Sequence, residues 1–532
     1  MSQDTDVRAA DPVLGRMADA ILIPPFPGTA APGWVLDALG RGLAGVTLFG
    51  QNISAPGQVS ALTAALRAAV TDDDPVIAID EEGGDVTRVA YADGSPYPGN
   101  AALGAVDDVM LTQAVHRAIG RDLAALGINF NLAPCADVLG AADSPAVGTR
   151  SFGADTGLVS RHTAAAVAGL QGAGVAACTK HFPGHGRTGT DTHEAIATIE
   201  GDLDDLRLRD LPPFEAAIRA GTLAIMPSHL RVPELTGDLP ATVSGAALTG
   251  LLRGELGFTG VIVSDALEMR ATRDMFGIPR AAVLAVAAGT DLLCLGRDGS
   301  EDDYLAVRDA LIAAVRDGAL DGARLEEAAD RLARLRGGLT RTRSSGLVPD
   351  GMTPGVGLAA ARRAMRVSGP RRTLNRPVII EIEPRENIAA GRFGWGLGPW
   401  APAGSVHRVI NGASAGLADT GPAGASLADA GPAGASPADA SVTDACLADA
   451  ARILAAAAGR SLVAVVRDAH RDESARSLIG VLLAARPDLI LVEMGLPFWR
   501  PPEGTSYLAT YGASRASAHA AAEFLGLAPS VS

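Results

Sequence analysis

Between residues 10 and 343, short apolar runs alternate with longer Ala-, Leu- and Arg-rich segments of helical period, an alternation that leaves few folds open. The runs are Ala20–Pro24, Gly45–Gly50, Val76–Asp80, Ile128–Pro134, Val175–His181, Leu223–His229, Gly260–Asp265 and Leu292–Gly296, eight in all. A strand that is apolar on both faces needs helices over both, and strand–helix repeats of this kind join into parallel sheets. Eight such units predict a (β/α)8 TIM-type barrel, whose working residues stand where strands end and loops begin. The polar residues cluster at those ends. The third run closes in Asp80-Glu81-Glu82-Gly83-Gly84-Asp85-Val86-Thr87-Arg88, the fourth leads to Asp137, the fifth closes in Lys180-His181, the sixth at His229 and the seventh at Ser264-Asp265.

A helical segment, Gly322–Arg336, ends the barrel region, and residues 344–370, with Ser, Gly and Pro from Ser344 to Pro354, read as a linker. A second, smaller α/β domain is expected over 371–532. Its strands are Val378–Glu383, Leu462–Arg467 and Leu489–Glu493, and its helices include Asp472–Ala485 and Ser514–Leu525. An insert at about 412–450 interrupts it. There Gly416-Leu-Ala-Asp-Thr, Ser426-Leu-Ala-Asp-Ala, Ser436-Pro-Ala-Asp-Ala and Cys446-Leu-Ala-Asp-Ala recur every ten residues. So short a unit cannot bury a face against its neighbour, and it has almost no large apolar side chains to offset the entropy of ordering. A disordered expansion without function is expected.

A net charge of −15 argues against nucleic acid as a partner, because phosphate binding needs concentrated Lys and Arg. No apolar run reaches the ~18–20 residues of a membrane span, and the polar, acidic first residues, Met1 to Asp6, do not read as a leader, so cytoplasmic residence is expected. The cysteines Cys135, Cys178, Cys294 and Cys446 lie far apart without ligand spacing and are expected as buried free thiols. Neither metal nor cofactor is expected.

Of 45 Lys plus Arg residues only one is lysine, Lys180, and it opens the run Lys180-His181-Phe182-Pro183-Gly184-His185-Gly186-Arg187-Thr188-Gly189-Thr190-Asp191-Thr192-His193. That run holds three of the nine histidines. In an extended segment residues i and i+2 project to one side, so the Asp191 carboxylate can reach the His193 imidazole, fix its tautomer and stabilise its charged form. Such a pair is a general acid/base for neutral pH, or else a loop hydrogen bond with no catalytic task. Asp265, closing a buried strand, either caps the next helix or faces the crevice as a nucleophilic carboxylate opposite a proton donor, which glycosyl transfer requires. Asp80, Arg88, Arg150, Lys180, His181 and His229 form a ring of donors and acceptors suited to sugar hydroxyls, although Arg88 or Arg150 could serve in a structural salt bridge. His181, His185, Asp191 and His193 match no closed zinc-ligand spacing.

These residues resemble glycoside hydrolase family 3, in its β-N-acetylhexosaminidase branch. The resemblance is carried by Lys180-His-Phe-Pro-Gly-His-Gly with Asp191-Thr-His193, Asp80-x-Glu-Gly-Gly-x-Val-x-Arg88, Arg150-Ser-Phe-Gly153, Met226-Pro-Ser-His229 and Val263-Ser-Asp265-Ala-Leu-Glu-Met269, over about residues 12–340. Asp85 stands where branch members commonly carry Arg, and Thr192 where they carry Ser. The resemblance implies Asp265 as nucleophile and His193 as acid/base on a mobile loop made flexible by Gly184, Gly186 and Gly189, with Asp191 as the partner of His193. Asp80, Arg88, Arg150, Lys180 and His181 would then bind a terminal N-acetylglucosamine, with His229 beside them. The C-terminal domain is similar to the α/β sandwich of two-domain members. The expected activity is that of an exo-acting retaining β-N-acetylglucosaminidase on muropeptides or related sugars. A phosphorylase using phosphate as acceptor and a non-catalytic sugar-binding barrel are the alternatives. The partner is a small carbohydrate, and either monomer or dimer is open.

Overall fold

The computed structural model of the 532-residue chain describes residues 12–140, 144–189, 196–199, 201–344, 355–383, 396–410, 418–419 and 440–529. The chain divides into two compact units. The first comprises Met1–Glu82, Val86–Tyr91 and Asp107–Val356; the second comprises Gly83–Asp85, Ala92–Val106 and Gly357–Ser532.

The first unit is built on β1 (Leu22–Ile23), β2 (Gly45–Leu48), β3 (Val76–Ile79), β4 (Phe130–Asn131), β5 (Ala176–Phe182), β6 (Ala224–Pro227), β7 (Val261–Ile262) and β8 (Leu293–Cys294). Seven of the eight apolar runs contain one of these strands, and β5 runs one residue past the end of the fifth, to Phe182. Strands β2 to β7 pair in sequence order, every pair parallel, and β8 pairs in parallel with β1. A bridge between Val263 and Leu292 carries β7 to β8, while Ala44 N–H to Asp19 O (3.0 Å) and Thr47 N–H to Pro24 O (3.2 Å) carry β1 to β2. The ring is therefore continuous. Apolar side chains fill it, among them Ala78, Phe130, Cys178, Met226, Val263 and Cys294, all buried.

At the amino ends of the strands, the helix Gly322–Ser344 runs eight residues past its expected end at Arg336. Its Leu332, Leu335 and Leu339 join the strand core, and its Arg336 donates to Asp73 O (2.7 Å) just before β3. Asp291, just before β8, is the electrostatic hub of this end. Its fully buried carboxylate meets Arg253 Nη2 (2.5 Å), Arg324 Nη2 (2.5 Å) and Arg331 Nη1 (3.0 Å), and accepts the Ile262 N–H (2.9 Å).

The second unit holds a seven-stranded sheet: β9 (Arg366–Ser368), β10 (Val378–Glu383), β11 (Val406–Ile410), β12 (Ala418–Asp419), β13 (Leu462–Val466), β14 (Ile490–Glu493) and β15 (Ser506–Ala509). The spatial order is β12-β11-β10-β13-β14-β15-β9, parallel except for the two edge strands. Alternate residues sort to opposite faces. Val378, Ile380, Leu462 and Ala464 pack on one side with Ile479 and Leu482 of the helix Glu473–Ala485; Ile379, Val463, Val465 and Val492 pack on the other with Ala518 and Leu525 of Arg515–Leu525. Each helix starts one residue later than expected, and the residue before it is its cap: Asp472 accepts from Ala475 N–H and Ser514 from Ser517 N–H.

Two expectations change here. The stretch expected as linker, 344–370, contains the helix Val356–Ala364 and the edge strand β9, because the Ala-rich helix has an apolar side to bury, as Ala360 and Ala361 show. The last repeat of the decapeptide insert, from Cys446, lies within the helix Ala440–Ala456, where Ala450 and Ile453 reach the core. Residues 411–417 and 420–439, most of the insert, lie outside the described residues. Asp85, the departure from the family pattern, is buried within the second unit, paired with Arg467 Nη2 (2.6 Å) and accepting the Ala513 N–H (2.8 Å). Among the described residues no helix is long and apolar enough to cross a membrane.

Replacing Asp291 by Ala would leave three arginines facing one another without their shared anion. Breaking a buried pair in this way costs ~3–5 kcal/mol. Urea denaturation of Asp291→Ala should show a loss of that size, and a loss under about 1 kcal/mol would contradict the hub role.

Candidate active site

All site residues described below belong to the first unit, and they stand at the carboxyl ends of its strands. On β5, Lys180 and His181 are consecutive, and in a regular strand they would project to opposite sides. The β5–β6 register shifts between Lys180 and Phe182, a bulge that aims both at one end of the barrel. Lys180 Nζ lies 2.6 Å from Asp80 Oδ1 and 2.8 Å from Glu82 Oε1, with only 3% of its side chain exposed. Burial alone would lower its pKa, but the two carboxylates outweigh it and hold the ammonium above its ordinary value. An ammonium has three N–H donors, so one remains beyond these two partners.

Glu82 belongs to the quoted motif but not to the expected ring of sugar ligands. It joins Lys180 to Arg150, whose Nε and Nη2 meet Glu82 Oε2 (3.0 Å) and Oε1 (2.8 Å) in a two-pronged pair. Burial pushes the Glu82 carboxyl up, and Arg150 and Lys180 together bring it well below the usual carboxylate range. Arg150 Nη1 also donates to Ala146 O (2.8 Å), and Nη2 lies 3.2 Å from His181 Nε2. Most of the Arg150 guanidinium is thus engaged by protein, the structural pairing left open by the sequence.

Glu81 turns the other way. Its backbone is held by Asn131 through Glu81 N–H to Oδ1 (3.0 Å) and Nδ2 to Glu81 O (2.8 Å), and its Oε2 accepts the Arg88 and Val89 N–H groups (2.8 and 3.0 Å). Burial pushes its carboxyl up to about 7. Arg88, placed by that turn, brings Nη2 to 3.9 Å from Asp80 Oδ2. Asp80, at 18%, and Arg88, at 15%, are more exposed than Lys180 or Glu82, so they are the members of the ring open to a ligand.

Asp137, beyond β4, organises the start of the Lys180–His193 run. Its Oδ1 accepts the N–H groups of His181 (3.2 Å) and His185 (2.7 Å), and its Oδ2 meets His181 Nδ1 (2.7 Å) and the Cys135 thiol (3.0 Å). Burial raises the Asp137 carboxyl, yet His181 and the other donors hold it well below its ordinary range. Cys135, Asp137 and His181 have the composition of a metal site. Burial and the Asp137 charge drive the Cys135 thiol well above its usual pKa, and the thiol donates to Asp137 Oδ2.

Two glycines expected to loosen the loop instead serve close packing. A Cβ at Gly186 would lie 2.0 Å from Val138 O, and one at Gly184, which has φ of +128°, would lie 2.7 Å from Asp210 Cβ. Gly186 O accepts the Gly140 N–H (2.8 Å). Gly189 has open space around it. Asp191 and His193 lie outside the described residues.

Asp265 follows β7. The strand end is pinned by Ser264 N–H to Leu292 O (2.8 Å) and Cys294 N–H to Ser264 Oγ (2.9 Å), and the Asp265 carboxylate accepts its neighbour's N–H from Ala266 (2.8 Å). β3 and β7 run in the same direction within the parallel ring, so Asp80 and Asp265, each just beyond the carboxyl end of its strand, belong to one end of the barrel. His229, expected among the sugar ligands, is fully buried. Its Nδ1 lies 2.8 Å from Thr242 Oγ1 and its Nε2 2.9 Å from Ala266 O, so both ring nitrogens are taken by protein and it braces the residue after Asp265.

A parallel eight-stranded barrel with charged residues gathered at its strand ends is the architecture of many enzymes, and the fold alone does not choose among them. The family profile described as "Glycosyl hydrolase family 3 N terminal domain" matches residues 35–335, more than half of the chain. The chain belongs to glycoside hydrolase family 3, and its class is that of a glycoside hydrolase. It is 37% identical over 268 residues to the β-hexosaminidase of Stenotrophomonas maltophilia strain K279a, covering 49% of this chain and 79% of that protein. To β-hexosaminidase A of Pseudoalteromonas piscicida it is 36% identical over 270 residues, 47% of this chain but only 45% of that longer relative. Among solved structures, a family 3 β-N-acetylglucosaminidase from Paenibacillus sp. str. FPU-7 superposes with a TM-score of 0.77 at 30% identity, over 97% of both chains. That likeness extends through the second unit and shares its α/β architecture.

Glu82→Gln keeps the shape of the bridge and removes its charge. A charge-assisted hydrogen bond is worth ~1.5–3 kcal/mol, so kcat/KM should fall about 10- to 100-fold, which steady-state kinetics would read. Glu81 gives a pH signature. Its folded pKa, about 7, lies above its ordinary 4.5, so the stability it contributes is complete below pH 4.5 and is lost as pH rises through 7. Glu81→Gln cannot ionise, and its melting temperature should fall less than that of the parent chain between pH 4.5 and 7. Parallel melting curves for the two proteins would contradict the buried-acid assignment.

Proposed function

We propose that the chain is an exo-acting, retaining β-N-acetylglucosaminidase. It removes terminal N-acetylglucosamine from β-linked glycosides, peptidoglycan-derived muropeptides among them, in the cytoplasm. The observation that carries this reading is the fixed charged wall of Asp80, Glu82, Arg150 and Lys180 at the same end of the parallel ring as the half-buried Asp265. The names of the similar proteins, β-hexosaminidases and a β-N-acetylglucosaminidase, support the choice of sugar.

In this mechanism Asp80, Arg88 and the remaining N–H of Lys180 take the hydroxyls of the terminal sugar. Arg150 and His181 hold the wall in shape. The Asp265 carboxylate attacks the anomeric carbon while His193, oriented by Asp191, gives a proton to the departing oxygen. A covalent glycosyl ester results. His193, now neutral, takes a proton from water as the water displaces Asp265, and two inversions restore the β configuration. His229 keeps the chain after Asp265 in place through Ala266 O.

Asp265→Asn should abolish turnover of an aryl N-acetyl-β-glucosaminide, and proton NMR of the native reaction should show the β anomer of the sugar first. Retained turnover would overturn the nucleophile assignment, and an α first product the retaining one. His193→Ala should slow substrates with poor leaving groups more than those with good ones, because aryl oxides need little protonation. The same assays in phosphate buffer separate two acceptors: free sugar supports the hydrolase, and sugar 1-phosphate would make the enzyme a phosphorylase.

A further inference from the structure

The run from Lys180 to His193 contains one charge that the mechanism above leaves unused, Arg187. Its Nε lies 2.9 Å from Oδ2 of Asp210, whose side chain is wholly buried at the end of the wide helical turn Leu206–Asp210. Neither carboxylate oxygen of Asp210 has a hydrogen bond among the described residues, so Arg187 is its nearest compensation. Arg209 stands farther off, with Nε 4.0 Å from Asp210 Oδ1 and its own Nη2 donating to Leu139 O. Withdrawing Arg187 would strand a buried anion, which makes the contact a strong tether. Burial pushes the Asp210 carboxyl up to about 7 even with Arg187 opposing it, in keeping with a charge that needs its partner.

The position of this pair matters more than its strength. Asp210 packs against Gly184 at the start of the run: a Cβ there would be 2.7 Å from Asp210 Cβ. Arg187 packs against Gly201 beyond its end, where a Cβ would be 3.2 Å from Arg187 Nη1 and 3.3 Å from Asp205 Oδ2. Both glycines have φ values in the left-handed region, +128° and +124°. The ion pair therefore sits between the two ends of the segment that carries Asp191 and His193. Hydrogen bonds continue the hold on either side. His185 N–H reaches Asp137 on the way in, while Ile199 N–H to Arg231 O (2.8 Å) and Arg231 N–H to Ala197 O (2.9 Å) secure the way out.

We propose that Arg187 and Asp210 are positioning residues for the general acid/base: their buried ion pair clasps the base of the 184–201 segment and sets where His193 can stand. The proposal rests on the reading of His193 with Asp191 as the acid/base pair. Loosening the clasp lets His193 move, and a displacement of ~1 Å costs about 10²-fold in rate. The loss falls on steps that need the proton carrier. With a good leaving group, formation of the glycosyl ester needs no acid, whereas its hydrolysis still needs a base to activate water.

Azide, a nucleophile that needs no base, distinguishes this from general damage. Arg187→Ala, Asp210→Asn and His193→Ala are assayed with a 2,4-dinitrophenyl N-acetyl-β-glucosaminide, with and without sodium azide. Arg187→Ala and Asp210→Asn should each lose about 10²-fold in kcat and recover at least tenfold with azide, forming the β-glycosyl azide. Their inhibition constant for free N-acetylglucosamine should stay within about twofold of the parent value, since the Asp80–Lys180 wall is untouched. Arg187→Lys keeps the cation and should fall between parent and Arg187→Ala. Recovery of His193→Ala but not of the Arg187 and Asp210 variants, or parent-like kcat in the latter, overturns the positioning role alone. Failure of His193→Ala itself to respond to azide removes the acid/base reading, and this inference with it.

Discussion

Two carboxylates around the ammonium of Lys180 set the terms for the barrel end. Asp80 and Glu82 follow β3 and the lysine lies on β5, so β4 lies between the strands that this contact ties together. Each group would be costly to bury alone, and their pairing offsets that cost. Glu82 passes the constraint to Arg150, and Arg150 Nη2 approaches His181, which Asp137 fixes from behind. The chain of pairs makes a wall whose hydrogen-bond directions are settled before a sugar arrives. Preorganisation of this kind favours transition-state binding, because little reorganisation remains to be done during the reaction.

Opposite charges do different work at the two ends of the barrel. At the strand starts, Asp291 gathers Arg253, Arg324 and Arg331 and closes every interaction within the protein. Toward the strand ends, Asp80 and Arg88 stand 3.9 Å apart and keep part of their surface open. A (β/α)8 fold commonly separates stability from function in this manner. The bulge in β5 is the local device that makes it possible here, since it turns two consecutive residues toward one crevice.

Much of this was legible in the chain itself. Unbroken apolar runs are what parallel strands covered on both faces require, so all eight barrel strands could be placed, and polar residues ending those runs pointed to Asp80, Lys180 and Asp265. The edge strands β9 and β12 escaped because two or three residues carry no period to read. Glu82 stood in the motif and Asp137 at a strand end, but their roles depend on partners far along the chain, and no local spacing shows that Glu82 faces Arg150 while its neighbour Glu81 turns to Arg88 and Val89. His229 looked like a ligand because it ended a strand, yet Thr242 and Ala266 occupy it. Gly184 and Gly186 looked like hinges, and three-dimensional crowding gave them the opposite task.

The burial of Lys180 also bears on how this protein meets chemical reagents. It is the chain's sole lysine, with 3% of its side chain exposed and its ammonium between two carboxylates. Acylating or alkylating reagents need the free amine, and both burial and the raised pKa withhold it. The folded protein therefore has no reactive ε-amine on its surface, and acylation of Lys180 would report the opening of the site itself.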